Sequence, residues 1–209
     1  KKSYDILDQA LTILENLKHR GAEGADAKSG DGAGILVQIP HQFFCRECEV
    51  LGFSLPAAGD YGVGMIFAHR YETFRKQQMA EFEAIVRSEG LSVLGWRDVP
   101  VDESLIGSIA KTTRPHFLQV FIRRSDALKT QMDFERKLYI IRKLAEKKIV
   151  PASQEKGSDF YIASLSSRTI VYKGMLTSVQ LRHFYLDLSD LDFTTAMALV
   201  HSRFSTNTF

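Results

Sequence analysis

Two short apolar segments separated by three polar residues decide the fold class of this 209-residue sequence. Residues 160–165 are FYIASL, residues 169–173 are TIVYK, and between them stand Ser166, Ser167 and Arg168. Apolar segments rich in β-branched and aromatic residues on either side of a short polar turn are typical of a β-hairpin, whose strands are antiparallel. The pattern therefore predicts an antiparallel sheet in this part of the chain.

The flanking sequence extends this hairpin into a mixed architecture. Apolar spacing predicts helices over 4–18, 41–52, 73–89 and 133–147, an exposed loop over 149–158, and strands over 35–39, 61–69, 91–99, 117–124 and 197–206. Helices and strands lack the regular alternation of a parallel sheet, so an α+β fold with antiparallel sheet is favoured over a doubly wound one. In the helix over 73–89, Phe74 is expected to face inward with Phe82, Ile85 and Val86. No repeat or composition shift divides residues 1–209, so we expect one domain.

The composition excludes several classes of protein. The 27 basic and 25 acidic residues are mixed along the chain, and no polybasic tract indicates binding to nucleic acid or to a membrane surface. No apolar run approaches the roughly 18 residues of a transmembrane helix. Two cysteines cannot form a disulfide framework, so the cytoplasm is the expected compartment.

Two motifs have both a structural and a functional interpretation. The string GDGAG at residues 30–34 precedes a strand and lacks the Lys-Ser/Thr pair of a phosphate loop, so a nucleotide site is disfavoured. Its structural interpretation is a tight turn, and its functional interpretation is a turn beside an active site. Cys45 and Cys48, with His41 nearby, are compatible with half a zinc site or a redox pair. A structural zinc site needs four ligands, so two reduced thiols are the simpler interpretation.

Two other strings place an arginine at the end of a predicted element. Residues 19–22 are HRGA and follow the first helix, whereas residues 201–209 are HSRFSTNTF and end the last strand. The guanidinium groups of Arg20 and Arg203 are suited to bind a carboxylate through two parallel hydrogen bonds. Thr206 and Asn207 add neutral donors and acceptors. The residues alone indicate a pocket for a small anion or an amino acid, although separate structural salt bridges explain each arginine equally well.

Several strings together resemble the N-terminal amidotransferase domain of the glutamate synthase large subunit, a class II glutamine amidotransferase. They occur in the family's order at residues 17–22, 30–34, 94–100, 160–166, 172–175 and 201–209. The resemblance implies an N-terminal-nucleophile hydrolase fold, a four-layer αββα sandwich of antiparallel sheets. We expect this fold to be incomplete here and the domain to be truncated at both ends.

The resemblance also implies an activity and its partners. The domain would hydrolyse glutamine to glutamate and ammonia, and the ammonia would pass to a synthase domain for reductive amination of 2-oxoglutarate. No cofactor is expected in residues 1–209, whereas FMN and an iron-sulfur cluster are expected in the synthase domains. The expected partners are glutamine, those remaining domains, and a small reductase subunit or ferredoxin.

Residue roles follow from the resemblance as well. Arg203 would bind the α-carboxylate of glutamine, Thr206 would hydrogen-bond the bound amino acid, and Asn207 would line the pocket. Arg20 would order the wall around the nucleophile, and the loop of Gly30, Asp31 and Gly32 would lie close by. Because strand alternation puts Arg203 and Thr206 on opposite faces, we expect a bend or bulge after Phe204.

The family's attacking group is expected outside the sequence. An N-terminal cysteine that uses its own α-amine as general base should precede Lys1. The Asn-Gly oxyanion pair and the acidic group for the substrate amine should follow Phe209. We therefore expect residues 1–209 alone to be inactive. The alternative is a non-catalytic amino-acid-binding or structural module that lacks the nucleophile.

Overall fold

The computed structural model describes residues 1–17, 30, 32–155 and 160–202. Its helices are α1 (Tyr4–Asn16), α2 (His41–Val50), α3 (Glu72–Ser88), α4 (Ser108–Thr113), α5 (Gln131–Glu155) and α6 (Ser178–Phe184). Its strands are β1 (Ala33–Gln38), β2 (Tyr61–Ala68), β3 (Ser92–Asp98), β4 (His116–Arg123), β5 (Tyr161–Ser166), β6 (Thr169–Gly174) and β7 (Ala198–His201). Short 3-10 helices cover Glu103–Leu105 and Leu186–Ser189. Within these ranges, no helix combines the length and the apolar character needed to cross a membrane.

The described strands form two sheets. One has the order β6-β1-β7 and the other the order β3-β4-β2-β5. Strand β1 pairs antiparallel with β7, and β2 pairs antiparallel with both β4 and β5. Strand β3 completes the second sheet by antiparallel pairing with β4. The predicted α+β class with antiparallel sheets is confirmed, and this architecture is consistent with the N-terminal-nucleophile hydrolase fold.

The predicted hairpin over residues 160–173 is wrong, although both of its strands exist. Strand β5 pairs with β2, whereas β6 belongs to the sheet of β1 and β7. The reason lies in the link between them, whose polar groups bond to Glu135 of helix α5. The Ser167 amide donates to the Glu135 carboxylate at 2.6 Å, and the Ser166 hydroxyl donates to it at 3.0 Å. This carboxylate holds a link that carries the chain from one sheet to the other.

The described chain divides into two compact units. The first unit comprises the described residues of Lys1–Phe43, Val99–Arg114 and Val171–Phe209, and the second comprises those of Phe44–Asp98 and Pro115–Ile170. The second unit contains the sheet β3-β4-β2-β5, with helices α3 and α5 packed together. The helix that apolar spacing predicts over 133–147 is confirmed. Its side chains of Phe134, Leu138, Ile141 and Ala145 are fully buried and form one apolar stripe.

Two details of the second unit differ from the predictions. Helix α5 continues to Glu155, so an exposed loop over 149–158 is wrong at least that far, and residues 156–159 lie outside the described residues. The side chain of Ile149 is only 1% exposed because it extends the apolar stripe by one turn beyond Ala145. Phe74 is 38% exposed instead of facing inward, since it lies in the first turn of α3 and its ring packs on His69.

The first unit joins α1 and α6 to the sheet β6-β1-β7. Helix α1 buries Leu7, Leu11 and Leu14 and packs against β7. Arg182 of α6 forms ion pairs with two acidic residues of α1. Its Nε donates to the Glu15 carboxylate at 2.8 Å, and its guanidinium also binds the carboxylate of Asp8.

Candidate functional site

The first unit brings together two of the strings that the sequence singled out. Strand β1 begins at Ala33, directly after Gly32, and pairs antiparallel with β7 so that Gly34 lies opposite His201. His201 is the last residue of β7 and stands two residues before Arg203 in the sequence. The glycine-rich loop and the beginning of the string at 201–209 therefore meet at the same end of this sheet.

Two glycines let this loop lie directly on another backbone. A Cβ atom placed on Gly30 would lie 2.4 Å from backbone atoms of Leu176 and Thr177. A Cβ on Gly34 would lie 2.9 Å from the Cβ of Lys173. Both distances are shorter than side-chain carbons can approach, so Lys173 of β6 and the segment that joins β6 to α6 leave room only for glycine at positions 34 and 30.

A third glycine of the loop has an unusual backbone conformation. Gly32 is buried and has a φ of 119°, in the positive region that side-chain-bearing residues rarely adopt. The turn into β1 therefore requires glycine at position 32 because of its backbone conformation. Gly30 and Gly34 are required for a different reason, since neither position has space for a Cβ atom.

The backbone on which the loop lies is itself fixed at the start of α6. The Thr177 hydroxyl accepts a hydrogen bond from the Gln180 amide at 3.3 Å, and the Gln180 side chain accepts one from the Thr177 amide at 2.8 Å. This reciprocal capping box fixes the entry of the chain into the helix. The Gln180 side-chain nitrogen also donates to the Leu105 carbonyl oxygen at 2.8 Å. Sequence reasoning missed this support, although Thr-x-x-Gln at 177–180 is a recognisable helix-start signal.

The structure describes two of the predicted site residues, and the others lie outside its described ranges. Gly30 and Gly32 of the near-site loop are described and buried. Outside the described residues lie Arg20, Asp31, Arg203, Thr206 and Asn207, together with the bend expected after Phe204. Helix α1, which precedes Arg20 in the sequence, is described to its C-cap at Leu17.

The two cysteines have the properties of structural thiols. Both lie in α2, neither forms a disulfide, and Cys48 is fully buried. Burial raises the pKa of the Cys48 thiol to about 12, and burial with the nearby Glu49 carboxylate raises the pKa of Cys45. A thiol must ionise to act as a nucleophile or a metal ligand, so both shifts work against these roles. In the described ranges, no three His, Cys, Asp or Glu side chains converge to hold a metal ion.

Comparison with known proteins gives consistent matches over the whole chain. The family model for class-II glutamine amidotransferases matches residues 1–209. The chain is 52% identical over 209 residues to the glutamate synthase [NADPH] large chain of Bacillus subtilis, covering 100% of this chain and 13% of that protein. It is 44% identical over 208 residues to the chloroplastic ferredoxin-dependent glutamate synthase 2 of Arabidopsis thaliana, covering 100% of this chain and 13% of that protein.

A relative from a fungus also matches almost the whole chain. The glutamate synthase [NADH] of Schizosaccharomyces pombe is 40% identical over 212 residues, covering 99% of this chain and 10% of that protein. The chain thus spans only about an eighth or less of the length of these relatives.

Proposed function

Because the chain belongs to the class II glutamine amidotransferase family, we propose that it is the glutaminase domain of a glutamate synthase. It would hydrolyse the side-chain amide of glutamine to give glutamate and ammonia. The observation that carries this proposal in the structure is the pairing of Gly34 with His201. This pairing joins the glycine-rich string at residues 30–34 to the string at residues 201–209, which contains Arg203. Both strings are expected at the glutamine site.

We assign the substrate contacts to the string that follows β7. Arg203 binds the α-carboxylate of glutamine through charge-assisted hydrogen bonds, which are stronger than those between neutral groups. Thr206 hydrogen-bonds the bound amino acid and Asn207 lines the pocket. Arg20 orders the wall around the nucleophile, beside the loop of Gly30, Asp31 and Gly32.

The nucleophile in this proposal is an N-terminal cysteine outside residues 1–209. Such a cysteine attacks the amide carbon while its own α-amine accepts the thiol proton. Neither Cys45 nor Cys48 has a free α-amine, and the raised pKa of each thiol disfavours the thiolate. A polypeptide of residues 1–209 alone would therefore not hydrolyse glutamine.

The wider setting is proposed from the relatives. Their names include NADPH-, NADH- and ferredoxin-dependent glutamate synthases. We propose that ammonia from this domain is used for reductive amination of 2-oxoglutarate in synthase domains that contain FMN and an iron-sulfur cluster. Electrons would come from a small reductase subunit or ferredoxin. We propose the cytoplasm as the compartment, because two cysteines are too few for a disulfide framework.

The test is the Arg203→Ala substitution in the full-length protein. Loss of a charge-assisted contact made equally to bound substrate and transition state should raise the KM for glutamine about 100-fold while changing kcat little. Initial rates of glutamate and ammonia release measure both constants. Arg168→Ala is the matched control, because Arg168 is an exposed arginine of the described chain and should leave KM unchanged.

Two results would contradict the proposal. An unchanged KM in the Arg203→Ala protein would remove this residue from the glutamine site. Glutamine binding without hydrolysis by the full-length wild-type protein would instead favour the non-catalytic amino-acid-binding module.

A further inference from the structure

Two tyrosines and an aspartate form a buried polar group beside strand β6. Tyr172 and Tyr185 are fully buried, Asp187 is only 3% exposed, and the two tyrosine rings meet edge to face with centroids 5.2 Å apart. The Tyr172 hydroxyl donates to the Asp187 carboxylate at 2.7 Å, and the Tyr185 hydroxyl donates to the Lys173 carbonyl oxygen at 2.8 Å. Burying such groups is unfavourable unless they are hydrogen-bonded. The Tyr185 bond therefore ties this residue to the backbone of β6, and the Tyr172 bond ties β6 to Asp187.

This buried polar group contacts β6 at Lys173, the residue that lies against Gly34. Strand β6 lies next to β1 in the sheet, and Gly34 of β1 packs on the Cβ of Lys173. Because Gly34 has no side chain that could adjust, a shift of Lys173 would be passed on to the backbone of β1. Gly34 in turn is the register partner of His201.

Tyr185 is held rigidly enough to transmit such a constraint. Its amide donates to the Leu181 carbonyl oxygen at 3.3 Å, and its backbone forms a β-bridge with Val101. Its ring also packs edge to face against Phe184, with centroids 4.9 Å apart. Burial raises the pKa of the Tyr185 hydroxyl, so this group stays protonated and remains a donor over the whole pH range in which proteins are active.

We propose that Tyr185 is a positioning residue for glutamine binding, acting through Lys173, Gly34 and His201 on the strand end that leads into Arg203. Tyr172 and Asp187 support it by fixing the neighbouring ring and the part of β6 directly before Lys173. The inference rests on the proposed function, because it concerns the site assigned above. It predicts that loss of Tyr185 weakens binding of the amino acid and leaves the rate of attack on the amide unchanged.

The decisive variant is Tyr185→Phe in the full-length protein, since it removes one oxygen atom and preserves the ring. The Lys173 carbonyl oxygen loses the hydrogen bond from Tyr185. We expect the KM for glutamine to rise about fivefold, with kcat within about twofold of wild type. The competitive inhibition constant of glutamate should rise by the same factor. That constant reports the grip on the amino acid without any chemical step, so a general loss of stability would not reproduce this pattern.

The matched control is Tyr4→Phe, which removes a hydroxyl of the same kind from the same unit. The Tyr4 hydroxyl donates to the Leu188 carbonyl oxygen at 3.3 Å, and Leu188 is not among the residues that contact the loop glycines. We expect this variant to lower the melting temperature slightly and to leave the KM for glutamine and the inhibition constant of glutamate unchanged.

The outcomes separate the inference from the proposed function. If the wild-type protein hydrolyses glutamine and Tyr185→Phe leaves both constants unchanged, or if Tyr4→Phe raises them equally, the inference is wrong and the proposed function stands. If the wild-type protein does not hydrolyse glutamine, the proposed function itself fails. Should Tyr185→Phe not fold, Asp187→Asn decides in the same way, because it keeps the shape of the side chain and an acceptor for Tyr172 while removing the charge, and we expect it to raise both constants about twofold.

Discussion

Both units of this molecule bury apolar side chains, and the first unit adds a close contact between two backbone segments. In the second unit, the sheet β3-β4-β2-β5 and helices α3 and α5 bury a continuous cluster of large apolar side chains. In the first unit, the described part of the sheet has three strands, and Gly30, before its central strand, lies against the backbone of Leu176 and Thr177. Apolar burial is non-directional and tolerates small shifts, whereas backbone contacts and hydrogen bonds fix positions. The first unit adds such backbone contacts to its own apolar core, and it is the unit in which we propose the substrate site.

The largest effect is expected from removing apolar volume in the second unit. Phe134 is fully buried in its core cluster, so Phe134→Ala should lower the free energy of unfolding by about 4 kcal/mol. Urea unfolding followed by fluorescence measures this, because the only tryptophan, Trp96, packs on Phe82 in the same unit.

Phe74→Ala provides the control for this substitution. Phe74 belongs to the same unit and is 38% exposed, so its removal should reduce the free energy of unfolding by less than about 1.5 kcal/mol. Equal losses at the two positions would show that the apolar cluster does not dominate the stability of the second unit.

A smaller effect is expected from adding a single carbon to the glycine-rich loop. Gly30→Ala places a Cβ against the backbone of Leu176 and Thr177, and the required shift should destabilise the first unit by about 3 kcal/mol. Amide hydrogen exchange in β1 and β7 measures this locally, and faster exchange in both strands is expected.

Gly52→Ala is the control that separates the cost of a close contact from the cost of backbone strain. Gly52 has a φ of 85° and no neighbour within 4 Å of an added Cβ, so this change costs only the strain of a positive φ, about 1 kcal/mol. If Gly30→Ala leaves the exchange of β1 and β7 unchanged, the loop does not depend on contact with the segment before α6.

The sequence predicted the second unit more completely than the first. Helix α3 and the stripe of α5 followed from apolar spacing, because Phe82, Ile85 and Phe134 face a large core. Helix α6 was missed because it has only seven residues, too few for periodicity to show. Its start depends on Thr177 and Gln180, which contribute hydrogen bonds instead of an apolar pattern.

Non-local contacts explain the remaining differences. The pairing of Gly34 with His201 joins residues far apart in the sequence, and no local pattern contains that information. The same holds for the link after β5, where local residues favour a hairpin but Glu135, 31 residues before Ser166, binds the turn. The strings of the candidate site were recognisable from their residue types, whereas the position of Gly34 opposite His201 required the structure.

The smallest effect is expected at this link, where the second unit ends. Glu135 accepts hydrogen bonds from the Ser167 amide at 2.6 Å, from the Ser167 hydroxyl at 2.5 Å and from the Ser166 hydroxyl at 3.0 Å. Glu135→Gln removes the charge and one acceptor, and hydrogen bonds to a charged group contribute about 2 kcal/mol. Because 1.4 kcal/mol corresponds to a factor of ten, exchange of the Ser167 amide should accelerate about 30-fold.

Glu72→Gln is the control for the charge itself. Glu72 forms an exposed pair with Lys76 at 2.7 Å. Because solvent screens such pairs, they contribute little to stability, so exchange at Ser167 should not change. If Glu135→Gln also leaves that exchange unchanged, the carboxylate does not hold the link. The separation of β5 and β6 into different sheets would then have to come from the pairing of β5 with β2 and of β6 with β1 alone. An accelerated exchange confined to Ser167 and its neighbours would show instead that one side chain overrides the local preference for a hairpin.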